Sequence, residues 1–213
     1  PQYGDPADFV SGEFSSGSDY TSLLANNAAI GLFTGQTRAE ALEAGWVGYM
    51  ASFDPGSATW AFKSIATAGA DSWTANQRSI IATTNHGNHY TTEAKIGITR
   101  PGKTFGGEWI DVVLGKAWIV ARIEERVFAL LASEPKVDYT NEGFGQIVAV
   151  VRGVLRDAEK AKIIAAKSWN VTVPPAEDQA PEDTAPRTVA GLEFTGTLRG
   201  AVHAANIVGT LTF

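Results

Sequence analysis

Apolar residues recur at helical spacing over much of this chain and alternate at strand spacing near its end. The longest periodic run lies between Asp111 and Ala132. At about 100° per residue, Ile119, Val120, Ile123, Val127, Leu130 and Leu131 fall on one arc, with Arg122, Glu125, Arg126 and Trp118 opposite. A second helix is expected after Pro135, capped by Thr140, with Glu142 in its first turn. Phe144, Val148, Val151, Leu155 and Ala158 form its inner face. Joined by about eight residues, the two amphipathic helices should pack as an antiparallel pair.

Upstream, Thr37 and Glu40 form a capping box ahead of a stripe made by Leu42, Trp46, Tyr49 and Phe53. Asp54-Pro-Gly-Ser57 stops that helix with turn residues. Thr74 and Gln77 form another box, opening a shorter helix that turns Ile80 and Ile81 inward and ends near Asn85. Strands are expected at Ala28–Phe33, around Trp60 and Phe62, from Lys95 toward the following glycine loop, and at Trp169–Val173. Two alternating runs flank Arg199-Gly200. Leu192, Phe194 and Leu198 share a face in the first, and Ile207, Leu211 and Phe213 in the second. The expected fold is α/β (α+β): a mixed β-sheet, two packed amphipathic helices and a C-terminal β-hairpin or arm.

Residues 1–27, rich in Gly, Ser, Asp and Asn, read as loop or extended arm, with Phe9, Phe14 and Tyr20 as partly buried turn positions. Residues 28–173 form the α/β domain. Residues 174–188 are an extended Pro/acidic connector, and 189–213 the hairpin belonging to the same domain. A chain opening on Pro1 without Met is expected to be processed or a piece of something longer. A closing strand that ends on Phe213 wants a sheet edge, its own or a neighbour's.

Composition narrows the function classes. The net charge of −6 argues against binding nucleic acid through its phosphates, which needs a basic face. With no cysteine, disulfide frameworks, thiolate metal sites and cysteine nucleophiles are excluded. No apolar run approaches the ~18 residues of a membrane span, and no basic-then-apolar leader opens the chain, so neither span nor signal peptide is predicted.

Gly97–Thr104, GITRPGKT, matches the phosphate-loop pattern G-x-x-x-x-G-K-[ST], in which backbone N–H groups and the Lys cradle phosphates and the Thr holds magnesium. That chemistry needs a helix to start at the Lys. Here Phe105-Gly106-Gly107 follows, Pro101 removes a donor, and the helix begins only after Trp109. A glycine-turned hairpin or strand-to-helix loop is the better reading, with nucleotide binding kept as the alternative. His86 and His89 are separated by Gly87-Asn88, which reads as a turn and leaves a metal without a third ligand; they are expected at a surface or sheet edge. Glu124 and Glu125 point about 100° apart and cannot converge on one substrate. Trp118 among charged residues is either a covered flank or a subunit anchor. Asn170-Val-Thr172 is a glycosylation sequon by pattern only.

Several ordered motifs carry a family resemblance. They include Asp54-Pro-Gly-Ser with Thr59-Trp60-Ala-Phe-Lys63, Ile98-Thr-Arg with Gly102-Lys, and Gly107-Glu-Trp-Ile-Asp111. Arg122-Ile-Glu-Glu-Arg-Val-Phe128, Tyr139-Thr140, Val171-Thr-Val-Pro174 and Phe194-Thr with Gly200-Ala-Val-His203 follow. In this order the chain resembles the tail-sheath-like family of contractile-tailed bacteriophages. The resemblance implies a structural subunit with no catalytic residues, no cofactor and no metal, located in the virion tail after assembly in the host cytoplasm. Implied partners are further copies of the chain, the tail tube protein, and baseplate and tail terminator proteins, with neither nucleic acid nor membrane. Sheath subunits interlock through terminal arms that add strands to neighbours' sheets. This makes Trp118, Arg122, Leu192, Phe194, Ile207, Leu211 and Phe213 the candidate interface residues. Compared members are longer, so the N-terminal arm and the first part of their fold are expected to be absent or cut away here. A P-loop nucleotide hydrolase and a non-contractile adhesin or baseplate module stand as the rival readings.

Overall fold

In the computed structural model, residues 30–33, 42–66 and 69–205 are described. The Thr37 capping box, the N-terminal aromatics Phe9, Phe14 and Tyr20, and Ile207, Leu211 and Phe213 lie outside them. The chain divides into two compact units. One contains the described residues up to 53, with 58–111 and 200–205; the other contains 54–57 and 112–199.

The first unit is built on a three-stranded mixed sheet in the order β1 (Leu32–Phe33), β2 (Asn88–Glu93), β3 (Ile96–Arg100). β1 runs parallel to β2, and β2 antiparallel to β3 with Tyr90 opposite Thr99. The β2–β3 turn is Ala94-Lys95, both with positive φ (48° and 67°), the geometry a two-residue hairpin needs. Helix α1 (Leu42–Met50) buries Leu42, Trp46 and Met50, one residue per turn. The expected inner stripe is thus corrected. Tyr49 and Phe53 lie on the exposed flank, stacked edge-to-face at 5.5 Å, and Met50 takes the inward place. Trp46 meets Trp60 edge-on at 5.1 Å and donates its indole N–H to the Trp60 carbonyl at 3.2 Å.

Helix α2 (Ala75–Ser79) starts as read: the Thr74 hydroxyl accepts the Gln77 N–H, and the Gln77 carboxamide accepts the Thr74 N–H. It runs into a wider π turn, Ile80–Thr84, that buries Ile81 and leaves Ile80 half-buried. The strand expected around Trp60 and Phe62 does not form. Phe62 sits at φ +61°, which breaks an extended run, and its N–H donates to the Thr99 carbonyl.

Two buried polar side chains hold this unit's loops to its sheet. Asn88 is fully buried. Its Oδ1 accepts the N–H groups of Gly102 and Lys103, both at 2.8 Å, and its Nδ2 donates to the carbonyls of Gly31 and Lys103. The side-chain amide is therefore saturated. On the far strand, Thr99 pairs its N–H with the Lys63 carbonyl. Its hydroxyl accepts from Lys63 N–H and donates to the Trp60 carbonyl.

The second unit is a helix pair with a small sheet. Helices α3 (Ile110–Ser133, its first two residues counted with the first unit) and α4 (Asn141–Lys160) share an apolar core. Ile119, Val148, Val151, Leu155, Ala158, Ile163, Ile164 and Val171 are buried in it. The α4 face is as read from periodicity, with the Thr140 hydroxyl accepting the Gly143 N–H as cap. The α3 face is rotated from the expected arc. Trp118, Ile123 and Val127 pack on the core and Arg126 pairs with Asp157 of α4, while Val120 and Leu131 are exposed. β4 (Asn170–Thr172) pairs antiparallel with β5 (Glu193–Thr195), Val171 opposite Phe194.

The acidic connector is shorter than an extended chain would be. It folds a 3₁₀ turn at Ala176–Asp178 and a helical turn at Pro181–Thr184. Asn141 bonds Ala176 N–H and Glu177, while Gln179 bonds both backbone groups of Ala190.

Two predictions follow from the first unit. Asn88→Ala strands the buried N–H groups of Gly102 and Lys103 and should lower unfolding free energy by about 3 kcal/mol, read from urea midpoints at constant slope. An unchanged midpoint would show that water replaces the amide. His89 is buried in the central strand, a correction to its expected surface or edge position. Burial lowers its pKa from 6.5 to about 4, with Arg78 and Arg100 adding to the effect and Glu93 opposing it. The fold therefore favours neutral imidazole: this contribution is complete above pH 6.5 and is lost as pH falls through 4. Its size is on the order of 3 kcal/mol, and His89→Gln should flatten the stability profile across that window.

Candidate functional site

The phosphate-loop pattern is the sharpest chemical motif in the sequence, and the first unit uses each of its residues for something else. Gly97 gives room to Tyr90, because a Cβ there would lie 2.5 Å from the Tyr90 hydroxyl. Gly102 takes φ +90° where a Cβ would meet the Ala61 backbone nitrogen at 2.8 Å. The N–H groups of Gly102 and Lys103, which would line a phosphate cradle, both point to Asn88 Oδ1. The Lys103 ammonium lies over the Trp109 ring, 4.8 Å from its centre. Thr104 is buried, its N–H and hydroxyl both donating to the Glu108 carbonyl. The helix starts at Ile110, whose N–H donates to the Gly102 carbonyl, not at Lys103. These residues make a strand-to-helix connection and do not fit a nucleotide phosphate.

The two histidines are also apart in role. His86, at φ +46°, bonds the Phe105 carbonyl through Nδ1, while His89 lies in β2. Among the described residues no group of three His, Asp or Glu side chains is placed to hold a metal ion. Glu125 pairs with Arg122 one turn earlier, leaving Glu124 exposed beside it.

The remaining candidates are surface and edge residues. Trp118 is half-buried against the core of the second unit, with the Arg122 guanidinium 5.9 Å from its ring centre. Leu192 packs on the same core, as does Leu198, which bridges to Ile164. Phe194 is 41% exposed, and its neighbours Glu193 and Thr195 are also exposed, so β5 presents side chains to water along its whole length. Sequence reasoning missed the exposed apolar face of α3, where Val120, Phe128 and Leu131 stand out; Phe128 is 73% exposed. A continuous search for the inner arc hides it, since those residues extend the apolar run around the helix. No α3 or other described helix is long and apolar enough to cross a membrane.

Residues 110–173, which span α3, α4 and β4, match the family described as "E217 tail sheath protein gp31-like, C-terminal domain". A search of curated proteins finds no match. Among solved structures, a chain of the anti-feeding prophage (AFP) baseplate is similar at TM-score 0.58 and 11% identity, covering 79% of this chain and 48% of that one. A chain of the contracted PVC sheath complex, from an extracellular contractile injection system, is similar at TM-score 0.52 and 13% identity, covering 76% and 47%. The chain thus spans about half the length of these structural relatives. The fold is theirs, and the tail-sheath resemblance read from the sequence is borne out where residues 110–173 match a tail-sheath C-terminal domain.

Proposed function

We propose that this chain is a structural subunit of a contractile tail sheath of the bacteriophage kind, assembling with copies of itself into helical rings around a tail tube. The observation that carries the reading is the match of residues 110–173 to a tail-sheath domain, because those residues are the helix pair and strand that form the second unit's core. The sheet attached to that core has the form such a subunit needs. β5 is three residues long, exposed along its length, and paired only with β4 among the described residues. An exposed strand edge accepts a further strand through main-chain hydrogen bonds, with alternate side chains supplying specificity. Residues 206–213 carry the alternation Ile207, Leu211, Phe213 that suits a donated strand. In this reading Phe194 and Leu192 receive the arm, and Trp118 and Arg122 contribute from α3. The tube, baseplate and tail terminator proteins are the partners of the assembled sheath.

A baseplate module is the second reading, favoured by the likeness to the AFP baseplate chain. Electron microscopy separates the two: tubes support the sheath, and closed plates or rings of fixed size support the baseplate. A nucleotide-hydrolysing enzyme is disfavoured by the Asn88 bonds that consume the cradle's N–H groups. Deleting residues 206–213 should abolish tube formation while leaving the unfolding free energy of the monomer within ~0.5 kcal/mol of the parent. Phe194→Asp should raise the concentration needed for assembly by at least about tenfold, by setting a charge on the receiving edge. If sedimentation shows assembly unaffected by both changes, strand addition at β5 is wrong.

A further inference from the structure

His203 lies 144 positions from Thr59 in sequence, yet its Nε2 is 3.0 Å from the Thr59 hydroxyl. That hydroxyl also accepts the Ala61 N–H, so its own hydrogen is free to donate to a neutral imidazole nitrogen. The imidazole stands edge-to-face against Trp109 at 4.4 Å and against Phe62 at 5.4 Å. Each of those rings carries a cation: Arg100 lies 4.4 Å from the Phe62 centre and Lys103 4.8 Å from the Trp109 centre.

Two further observations show that this cluster is built. Phe62 is held at φ +61°, an unfavourable region for a bulky residue, by its bond to the Thr99 carbonyl. Within 201–205, which form no helix or strand, Ala201, Val202, Ala204 and Ala205 are exposed and only His203 turns inward. Val202 is 82% exposed. Among the described residues of this stretch, His203 is the side chain that bonds to the first unit.

We propose that Thr59, Phe62, Trp109 and His203 form a clasp that fixes the point from which the closing segment of the chain departs, making His203 a positioning residue for assembly. The assembly part rests on the strand-addition reading above; the clasp itself does not. Fixing the point from which a segment departs raises its effective concentration at a reachable partner edge. Charge tunes the clasp as well. Burial lowers the His203 pKa, Asp111 opposes that and Arg100 adds to it, with the Lys103 ammonium stacked on Trp109 beyond. The clasp thus holds neutral imidazole, and its contribution is present above pH 6.5 and weakens as pH falls below that value.

The full-length chain tests this with two readouts. In dilute monomer at pH 7.5, His203→Ala and Thr59→Val should each speed proteolytic cleavage within 200–213, the former about tenfold, the loss of one hydrogen bond and two ring contacts. At assembling concentrations, His203→Ala should raise the required concentration by a similar factor. His203→Phe, which keeps the ring contacts but neither the hydrogen bond nor a titrating group, should bring both readouts back to the level of Thr59→Val and remove the pH dependence of cleavage below 6.5. Unchanged cleavage in both His203→Ala and Thr59→Val overturns the clasp, whatever assembly does. Faster cleavage with unchanged assembly keeps the anchor and overturns its role in strand addition. Should His203→Ala fail to fold, Thr59→Val and His203→Phe carry the comparison.

Discussion

The first unit depends on a fully buried carboxamide. A peptide N–H or carbonyl shut away from water without a partner costs about 1–3 kcal/mol, and the loops beside β2 would leave several such groups at once. Asn88 answers four hydrogen-bonding demands with one side chain: two N–H groups on one oxygen and two carbonyls on one nitrogen. Only an amide offers two acceptor and two donor positions in one plane without a charge. Thr99 does comparable work on β3 with a hydroxyl that both donates and accepts. The three-stranded sheet is therefore bounded by loops locked onto buried polar side chains. From that lock follow the fixed course of residues 101–109, the position of Trp109, and the start of α3 at Ile110.

The second unit is stabilised differently. Its core is aliphatic, supplied by α3, α4, the turn at Ile163-Ile164 and β4, and polar bonds fasten only its margins. Glu159 accepts the Trp169 indole N–H at 2.8 Å, and the Tyr139 hydroxyl donates to the Thr188 carbonyl at 3.0 Å. Gln179 and Asn141 fold the proline-rich connector back on the unit, so β5 comes to β4 in a defined register. Among the described residues, β5 pairs with β4 alone.

How much of this was legible depends on whether the signal is local. The α4 face, its Thr140 cap and the Thr74 box were readable because periodicity and capping involve residues three or four apart. The rotation of α3 was not, since Ile119 to Leu131 contain apolar residues over more than half the circumference and only a neighbour decides which side is covered. Arg126 turns inward because Asp157 on α4 meets it, a contact invisible in either helix alone. β2 was missed because its hairpin turn is Ala94-Lys95, with no glycine or asparagine to announce positive φ, and because Gly87-Asn88 resembles a turn when Asn88 is the first residue of a strand. The roles of Asn88 and His203 rest on partners up to 57 and 144 positions away, beyond any pattern of spacing.

The same distinction explains why the nucleotide motif misleads. A short pattern of glycines with Lys-Thr constrains composition but not the direction of the N–H groups, and direction is what binds phosphate. Here the Gly102 and Lys103 N–H groups are turned to the Asn88 carboxamide, the Lys103 ammonium to the Trp109 ring and the Thr104 hydroxyl to the Glu108 carbonyl. The perturbed titratable groups tell a parallel story. His89 is shifted by burial inside a sheet, Asp157 is lowered by its bond to Arg126, and His203 is shifted by burial between aromatic rings. Each of these three shifts has its own structural cause. Among the described residues, the backbone includes the exposed strand β5 and a stretch at 201–205 in which His203 bonds Thr59.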